Sequence, residues 1–374
     1  MTLDSTSTLI LGLGTAVPRF RASQDTLTGF ALRVIEASVD PPRRQRTIDL
    51  ARKVYAGSRV GTRCSVIPDF AADDPSSFEF FPPNWQLDPF PTTAERMKVY
   101  EDVSVDLASE AAERALGDAG LSAEQVTHLV VSSCTGFFAP GPDVLLCQRL
   151  GMRSDVERSL IGFMGCYSGF NGMRSADHIV RAGPDAVVLQ ICVELCSLHY
   201  QKRPEADLIV ANSLFADGCA AAVYGSSQRY GQGRARVLKS RSFLEEGSLS
   251  QMSWRIGNHG FEMRLATQVP MTLHSRAPDF VDNLLRSAGL GRDEVTKWAV
   301  HPGGPKILEA LGDALELGAG SLDDSFAVLR DFGNMSSGTV FFVLERQLAG
   351  QAMSGPTVVL GFGPGLSVEG AVLV

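Results

Sequence analysis

The chain has 374 residues, 44% hydrophobic and 20% charged, and its 34 basic against 42 acidic residues give a formal net charge of −8. That balance excludes a mainly disordered chain and any whole-chain attraction to nucleic acid or acidic membranes. No apolar run reaches the roughly 18 residues of a membrane span.

At the start, Asp4 and the lack of Lys or Arg before the first apolar stretch argue against a secretory leader. Seven cysteines, an odd number lying largely in apolar runs, fit a reducing cytoplasm rather than a disulfide framework. Cys192 and Cys196 form a C-x3-C with no second ligand pair nearby, so they read as buried small side chains and no metal is expected. GLGTAVP lacks the third glycine of a dinucleotide fingerprint, and HPGGPK lacks phosphate-loop spacing.

Positive charge concentrates in the segment 42–63, as a solvated helix face or as a rim for a large anionic cofactor. Residues 68–95, rich in Pro, Asp and Ser, read as an ordered loop anchored by Phe78, Phe80, Phe81 and Trp85. Continuous apolar runs at 127–136, 185–194, 297–304 and 357–365 predict strands covered on both faces, alternating with amphipathic helices in an α/β fold. One helix follows Cys166, with Phe170, Met173, Ala176 and Val180 on one face and a stop at Gly183-Pro184. Another starts at Pro305 and carries Ile307, Leu308, Leu311 and Leu315. A weak repeat links the two halves. Gly165-Cys166 comes 32 residues after Cys134, and Gly333-Asn334 comes 33 after His301, as if one α/β unit were used twice around a shared cleft.

Three short motifs carry chemistry. In FMGCYSGFNG, Gly165 turns the chain so that Cys166 meets a helix N-terminus, where free N–H groups and the helix dipole favour a thiolate. In AVHPGGPKIL, His301 ends a strand, where ligand crevices form in such sheets. In RDFGNMSSGTV, Asn334 either caps the following helix or offers its amide to a developing oxyanion.

In the order Cys, His, Asn, with GLGTAVP, TTAERMKVYE, SSCTGFFAPGPD, SLFADGCAA and GFGPGLSVEG, nearly the whole chain resembles the thiolase superfamily of condensing enzymes. It is most similar to the type III polyketide synthases, the chalcone synthase-like enzymes. The resemblance implies a five-layered αβαβα thiolase fold of two pseudo-duplicated halves, 1–235 with the cysteine and 236–374 with the histidine and asparagine. It implies a homodimer, and malonyl-CoA and acyl-CoA as substrates with no metal or redox cofactor. Cys166 would carry the acyl chain as a thioester. His301 would hold Cys166 as a thiolate, and with Asn334 would stabilise the enolate formed on decarboxylation. Phe215 matches a gatekeeper aromatic, and the loop Gly361, Phe362, Gly363, Pro364, Gly365 matches a cavity wall. Arg52, Lys53 and Arg59 would meet coenzyme A phosphates.

Departures from the plant pattern bear on the substrate. Met263, Ala139, Thr135 and Cys196 would open a tunnel for an alkyl chain, as in bacterial members that take long fatty acyl starters, whereas Trp254 and His199 would narrow the elongation space. The implied products are alkyl-α-pyrones or alkylresorcinols. The alternatives are a ketoacyl synthase III-like enzyme condensing once with a carrier-protein substrate, or a non-catalytic acyl-binding homologue. A carrier protein could also deliver the starter.

Overall fold

A computed structural model describes residues 7–374; Asp4, on which the expectation about a leader rests, lies outside the described residues. Nine strands are hydrogen-bonded side by side, in two sets. The first runs, in space, Glu157–Gly162, His128–Ser133, Val188–Leu195, Asp217–Ser226 and Thr8–Ala16. The second runs Lys297–Val300, Thr357–Gly363, Ser367–Leu373 and Ala235–Leu244. Without its edge strand Glu157–Gly162, the first set has the same order and the same parallel and antiparallel pairings as the second. The sets meet where Thr8–Ile10 pairs with Ala235–Val237.

The alternation of side chains along each strand sorts them into layers. On Thr8–Ala16, Leu9 and Leu11 face outward against the helix Thr93–Ala119, while Ile10 and Leu13 face the middle of the molecule. Asp217–Ser226 repeats this, with Cys219, Ala221 and Val223 outward and Ala220, Ala222 and Tyr224 inward. The middle layer is two helices, Ser168–Ala182 and Thr339–Leu348, which also receive Val359 and Ala371 of the second set. That set's other face, with Val358, Leu360, Val368 and Val372, is covered by the helices Val269–Ala288 and Pro305–Ala314. The result is helix, sheet, helix, sheet, helix: the five layers and duplicated halves expected.

Local signals explain the element ends. Thr92 and Glu95 form a capping box at the start of Thr93–Ala119, and left-handed Gly120 ends it. Phe170, Met173, Ala176 and Val180 are all buried, and their helix stops at Gly183. The aromatic loop is anchored through Phe30, whose ring lies 5.9, 6.0 and 5.8 Å from those of Phe78, Phe81 and Trp85. Phe80 packs on Phe81 at 5.0 Å. The Asp69 carboxylate accepts the backbone N–H groups of Glu79, Phe80 and Phe81.

Candidate active site

Cys166 lies two residues before the helix Ser168–Ala182, on a turn set by Gly165 at φ 92°. The turn is fixed from both halves. Gly165 N–H donates to the Cys134 sulfur at 2.9 Å. On the other side packs the GFGPG segment: a Cβ at Gly165 would collide with Pro364, and one at Gly363 would fall 2.6 Å from the Tyr167 ring and 3.4 Å from the Cys166 nitrogen. These glycines allow the end of strand Thr357–Gly363 to press against the nucleophile turn.

His301 follows strand Lys297–Val300, its N–H bonded to Leu360 O at 2.8 Å. Asn334 occupies the place in the second half that Cys166 holds in the first, ahead of the inner helix. It is not that helix's N-cap, which is Gly338. Its Oδ1 accepts from Ser336 N–H at 2.9 Å, and its Nδ2 donates to Gly303 O at 3.3 Å. Ser336, at φ 49°, sends its hydroxyl to Cys166 Sγ at 3.6 Å. Ser336 thus joins Cys166 of the first half to Asn334 of the second, and Asn334 in turn bonds Gly303, whose N–H donates to His301 O at 2.9 Å. All three motif side chains are buried, at 7, 2 and 2% exposure for Cys166, His301 and Asn334.

Burial sets their charge. It pushes the Cys166 thiol up to about 12, the Ser336 hydroxyl opposing and Glu194 reinforcing the rise. Burial also brings His301 down to about 4. Neither nitrogen of the His301 ring has a hydrogen-bond partner. Burial thus favours the neutral thiol and the neutral imidazole, and no hydrogen bond joins the two groups in this structure. In so dry a site the two groups become charged together or not at all.

Sequence reasoning missed Glu194 and Ser336. Fully buried, Glu194 accepts from Cys134 N–H at 3.0 Å, Thr135 Oγ1 at 2.8 Å and the Ser337 hydroxyl, tying the two halves together beside the nucleophile. Burial raises its carboxyl to about 7. Its partners lie 59 to 143 residues away in sequence, so no local pattern announces it.

A cavity of about 310 Å³ has Phe215, Met263, Cys196, His199 and Trp254 in its lining. His199 is held neutral, brought down to about 3 by burial. Its Nε2 bonds Thr135 O at 2.7 Å, its Nδ1 accepts from Phe261 N–H at 2.9 Å, and its ring stacks on Phe261 at 4.1 Å. Trp254 is pinned by its indole N–H to Cys134 O at 2.7 Å. Cys166, His301 and Asn334 do not line this cavity; Phe215, which does, forms a strand-like bridge with Asn334.

Other expected residues lie elsewhere. Thr135 is buried, its hydroxyl bonded to Glu194 and to Leu195 N–H, and it is not in the lining of this cavity. Ala139 is exposed and outside the cavity. Gly363 and Pro364 pack against the Cys166 turn and Gly361 against the Phe170 ring; with Phe362 and Gly365 they lie outside the lining of this cavity. Arg52 and Lys53 point to solvent from the helix Pro41–Gly57. Arg59 pairs with Glu309 at 2.7 Å and lies over the Phe326 ring. No group of three or more His, Cys, Asp or Glu suited to a metal occurs among the described residues.

Comparison with known proteins identifies the family. Residues 3–228 match the family described as "Chalcone and stilbene synthases, N-terminal domain", and residues 237–374 match the corresponding C-terminal domain. The chain is 34% identical to "Alpha-pyrone synthesis polyketide synthase-like Pks18" of Mycobacterium tuberculosis, over 98% of this chain and 91% of that protein. It is 38% identical to the 1,3,6,8-tetrahydroxynaphthalene synthase of Streptomyces peucetius subsp. caesius, over 72% of this chain and 73% of that one. The crystal structure of PKS-I from the brown alga Ectocarpus siliculosus superposes with a TM-score of 0.91 at 32% identity, covering 100% of this chain and 99% of that one. With both halves matched and the same fold throughout, the chain belongs to the chalcone and stilbene synthases, the type III polyketide synthases, enzymes that join acyl units by Claisen condensation.

Proposed function

We propose that this enzyme condenses malonyl-CoA iteratively onto a long-chain fatty acyl-CoA and releases alkyl-α-pyrones or alkylresorcinols. The observation that carries the chemistry is that Ser336, whose N–H bonds Asn334 Oδ1, sends its hydroxyl to Cys166 Sγ, which joins the cysteine and asparagine motifs of the two halves in one buried place. The long-chain reading draws support from the cavity beside Cys196, and the pyrone reading from the relative named for alpha-pyrone synthesis.

The His301 imidazole takes the proton of Cys166. The thiolate attacks the starter thioester carbonyl, a C–S bond to Cys166 forms, and coenzyme A leaves as the thiol once it takes the proton back from the imidazolium. Malonyl-CoA then loses CO2, and the electron pair of the broken C–C bond becomes an enolate. His301 and the Asn334 Nδ2 group, which has one N–H left beyond its bond to Gly303, donate to the enolate oxygen. The enolate carbon attacks the Cys166 thioester, forming the new C–C bond and releasing the thiolate for reloading. Trp254, pinned in the lining, limits the number of extensions.

The same reading divides the chain into 1–235 and 236–374. It also includes a homodimer, supported by the exposed edge strand Glu157–Gly162 with Leu160 at 43% exposure and Met164 at 37%. It includes a cytoplasmic location, and coenzyme A or a carrier protein as starter donor. The test is product mass spectrometry with malonyl-CoA and straight-chain starters from acetyl- to eicosanoyl-CoA. Alkylpyrones or alkylresorcinols from the long starters support the reading; products from short or aromatic starters alone overturn its long-chain part.

A further inference from the structure

The backbone that carries Asn334 is gripped by the first half of the chain. Strands Phe20–Ser23 and Thr62–Ser65 pair as a two-stranded ribbon against the end of the helix Asp323–Phe332, which leads into Gly333 and Asn334. Gly61 N–H donates to Arg330 O at 2.7 Å, and the Thr62 hydroxyl and the Arg21 guanidinium donate to Asp331 O at 2.7 and 2.9 Å. The chain then turns at Gly333, φ 75°, and Asn334 pairs with the segment that follows the helix Ala206–Leu214. Its N–H donates to Leu214 O at 2.8 Å, and its backbone O accepts from Ala216 N–H at 2.9 Å.

Arg63, on the second ribbon strand, touches both sides of this pairing. Its guanidinium donates to Asn212 O at 2.8 Å and to Phe215 O at 2.5 Å. Its stem packs on Gly333: a Cβ there would fall 2.9 Å from Arg63 Cγ, 3.0 Å from Arg63 Cδ and 2.9 Å from Leu214 O. The side chain is buried, and burial lowers its guanidinium from the ordinary value, with Tyr55 and Asp217 opposing. A cation is costly to keep in such a place, and an apolar side chain would fill the space without holding the two carbonyls. The Asn334 amide helps only where its free N–H meets the enolate oxygen, and a displacement of about 1 Å costs about 100-fold. We propose that Arg63 is a positioning residue for Asn334: by fixing the Asn212–Phe215 carbonyls and the Gly333 turn together, it sets where the Asn334 amide sits. The proposal rests on the role given to Asn334 above.

Two rates test it, in the wild type, Arg63→Met, Arg63→Lys, Asn334→Ala and the double variant Arg63→Met with Asn334→Ala. The first is conversion of malonyl-CoA alone to acetyl-CoA, in which CO2 leaves and the enolate carbon takes a proton from water. The second is iodoacetamide labelling of Cys166, which reports the thiolate and makes no use of the enolate site. Arg63→Met should lower kcat for decarboxylation by about 10- to 100-fold, change KM less, leave labelling as in the wild type, and slow the Asn334→Ala enzyme no further. Arg63→Lys keeps a cation that can reach one carbonyl, so it should show a smaller loss of the same kind; it carries the test if Arg63→Met does not fold. Unchanged decarboxylation in the Arg63 variants, while Asn334→Ala is slow, overturns the proposal and leaves the role of Asn334 intact. So does a loss that falls equally on labelling and decarboxylation, or one that recurs in full in the Asn334→Ala background. Decarboxylation at the wild-type rate in Asn334→Ala refutes the role of Asn334, and the proposal with it.

Discussion

Glu194→Gln isolates a buried carboxylate that joins the two halves beside the nucleophile. Glutamine has nearly the same shape: its carbonyl can accept from Cys134 N–H and Thr135 Oγ1, and its amide can donate to a reoriented Ser337 hydroxyl. What changes is the response to pH. Burial raises Glu194 from 4.5 to about 7, so between those values the folded chain holds a proton that the unfolded chain has lost. Stability therefore falls as pH rises through this window, by about 3 kcal/mol at most. Asp217, raised by burial to about 6, adds a fall of the same sign, but it is present in both proteins and cancels in their difference. Urea unfolding of wild type and Glu194→Gln across pH 4.5 to 8 should show the variant gaining on the wild type as pH rises, with the difference levelling off above pH 7. A difference that does not vary with pH would refute a buried, proton-holding Glu194.

The remaining predictions concern the nucleophile and its support. His301→Gln should slow iodoacetamide labelling of Cys166 at neutral pH by about 100-fold, because in a dry site the thiolate forms only with the imidazolium; equal labelling rates would remove His301 as its partner. Gly363→Ala places a methyl 2.6 Å from the Tyr167 ring. It should cost about 1–3 kcal/mol in thermal unfolding and lower kcat more than KM, and an unchanged kcat would mean the GFGPG segment does not hold the Cys166 turn. Trp254→Ala should remove the bond to Cys134 O and admit longer polyketides; an unaltered product distribution by liquid chromatography and mass spectrometry would take Trp254 out of extension control.

The layered fold was legible because its strands are continuous apolar runs and its inner helices carry apolar faces, so periodicity and breakers mark both. The spacings from Cys134 to Cys166 and from His301 to Asn334 reported the duplication, since each pair runs from the end of a corresponding strand to the turn before a corresponding inner helix. What escaped the sequence depends on contacts between distant segments. Glu194 sits inside the apolar run ICVELC, and only the fold brings Ser337 and Cys134 to it. Asn334 looked like a helix cap, but its side chain bonds Ser336 in a tighter turn ahead of that helix. Thr135 and Ala139 enter a tunnel only through the family resemblance, because no local pattern tells which way a loop side chain turns; here Thr135 bonds Glu194 and Ala139 is exposed.

The central claim is that Cys166 carries the acyl chain. The most direct measurement is peptide mass spectrometry of the purified enzyme after brief exposure to a long-chain acyl-CoA, beside Cys166→Ala and with malonyl-CoA added afterwards. The account predicts an acyl thioester on the Cys166 peptide that malonyl-CoA discharges into polyketide product, with neither adduct nor product in the variant. Acyl transfer or product persisting in Cys166→Ala would contradict it.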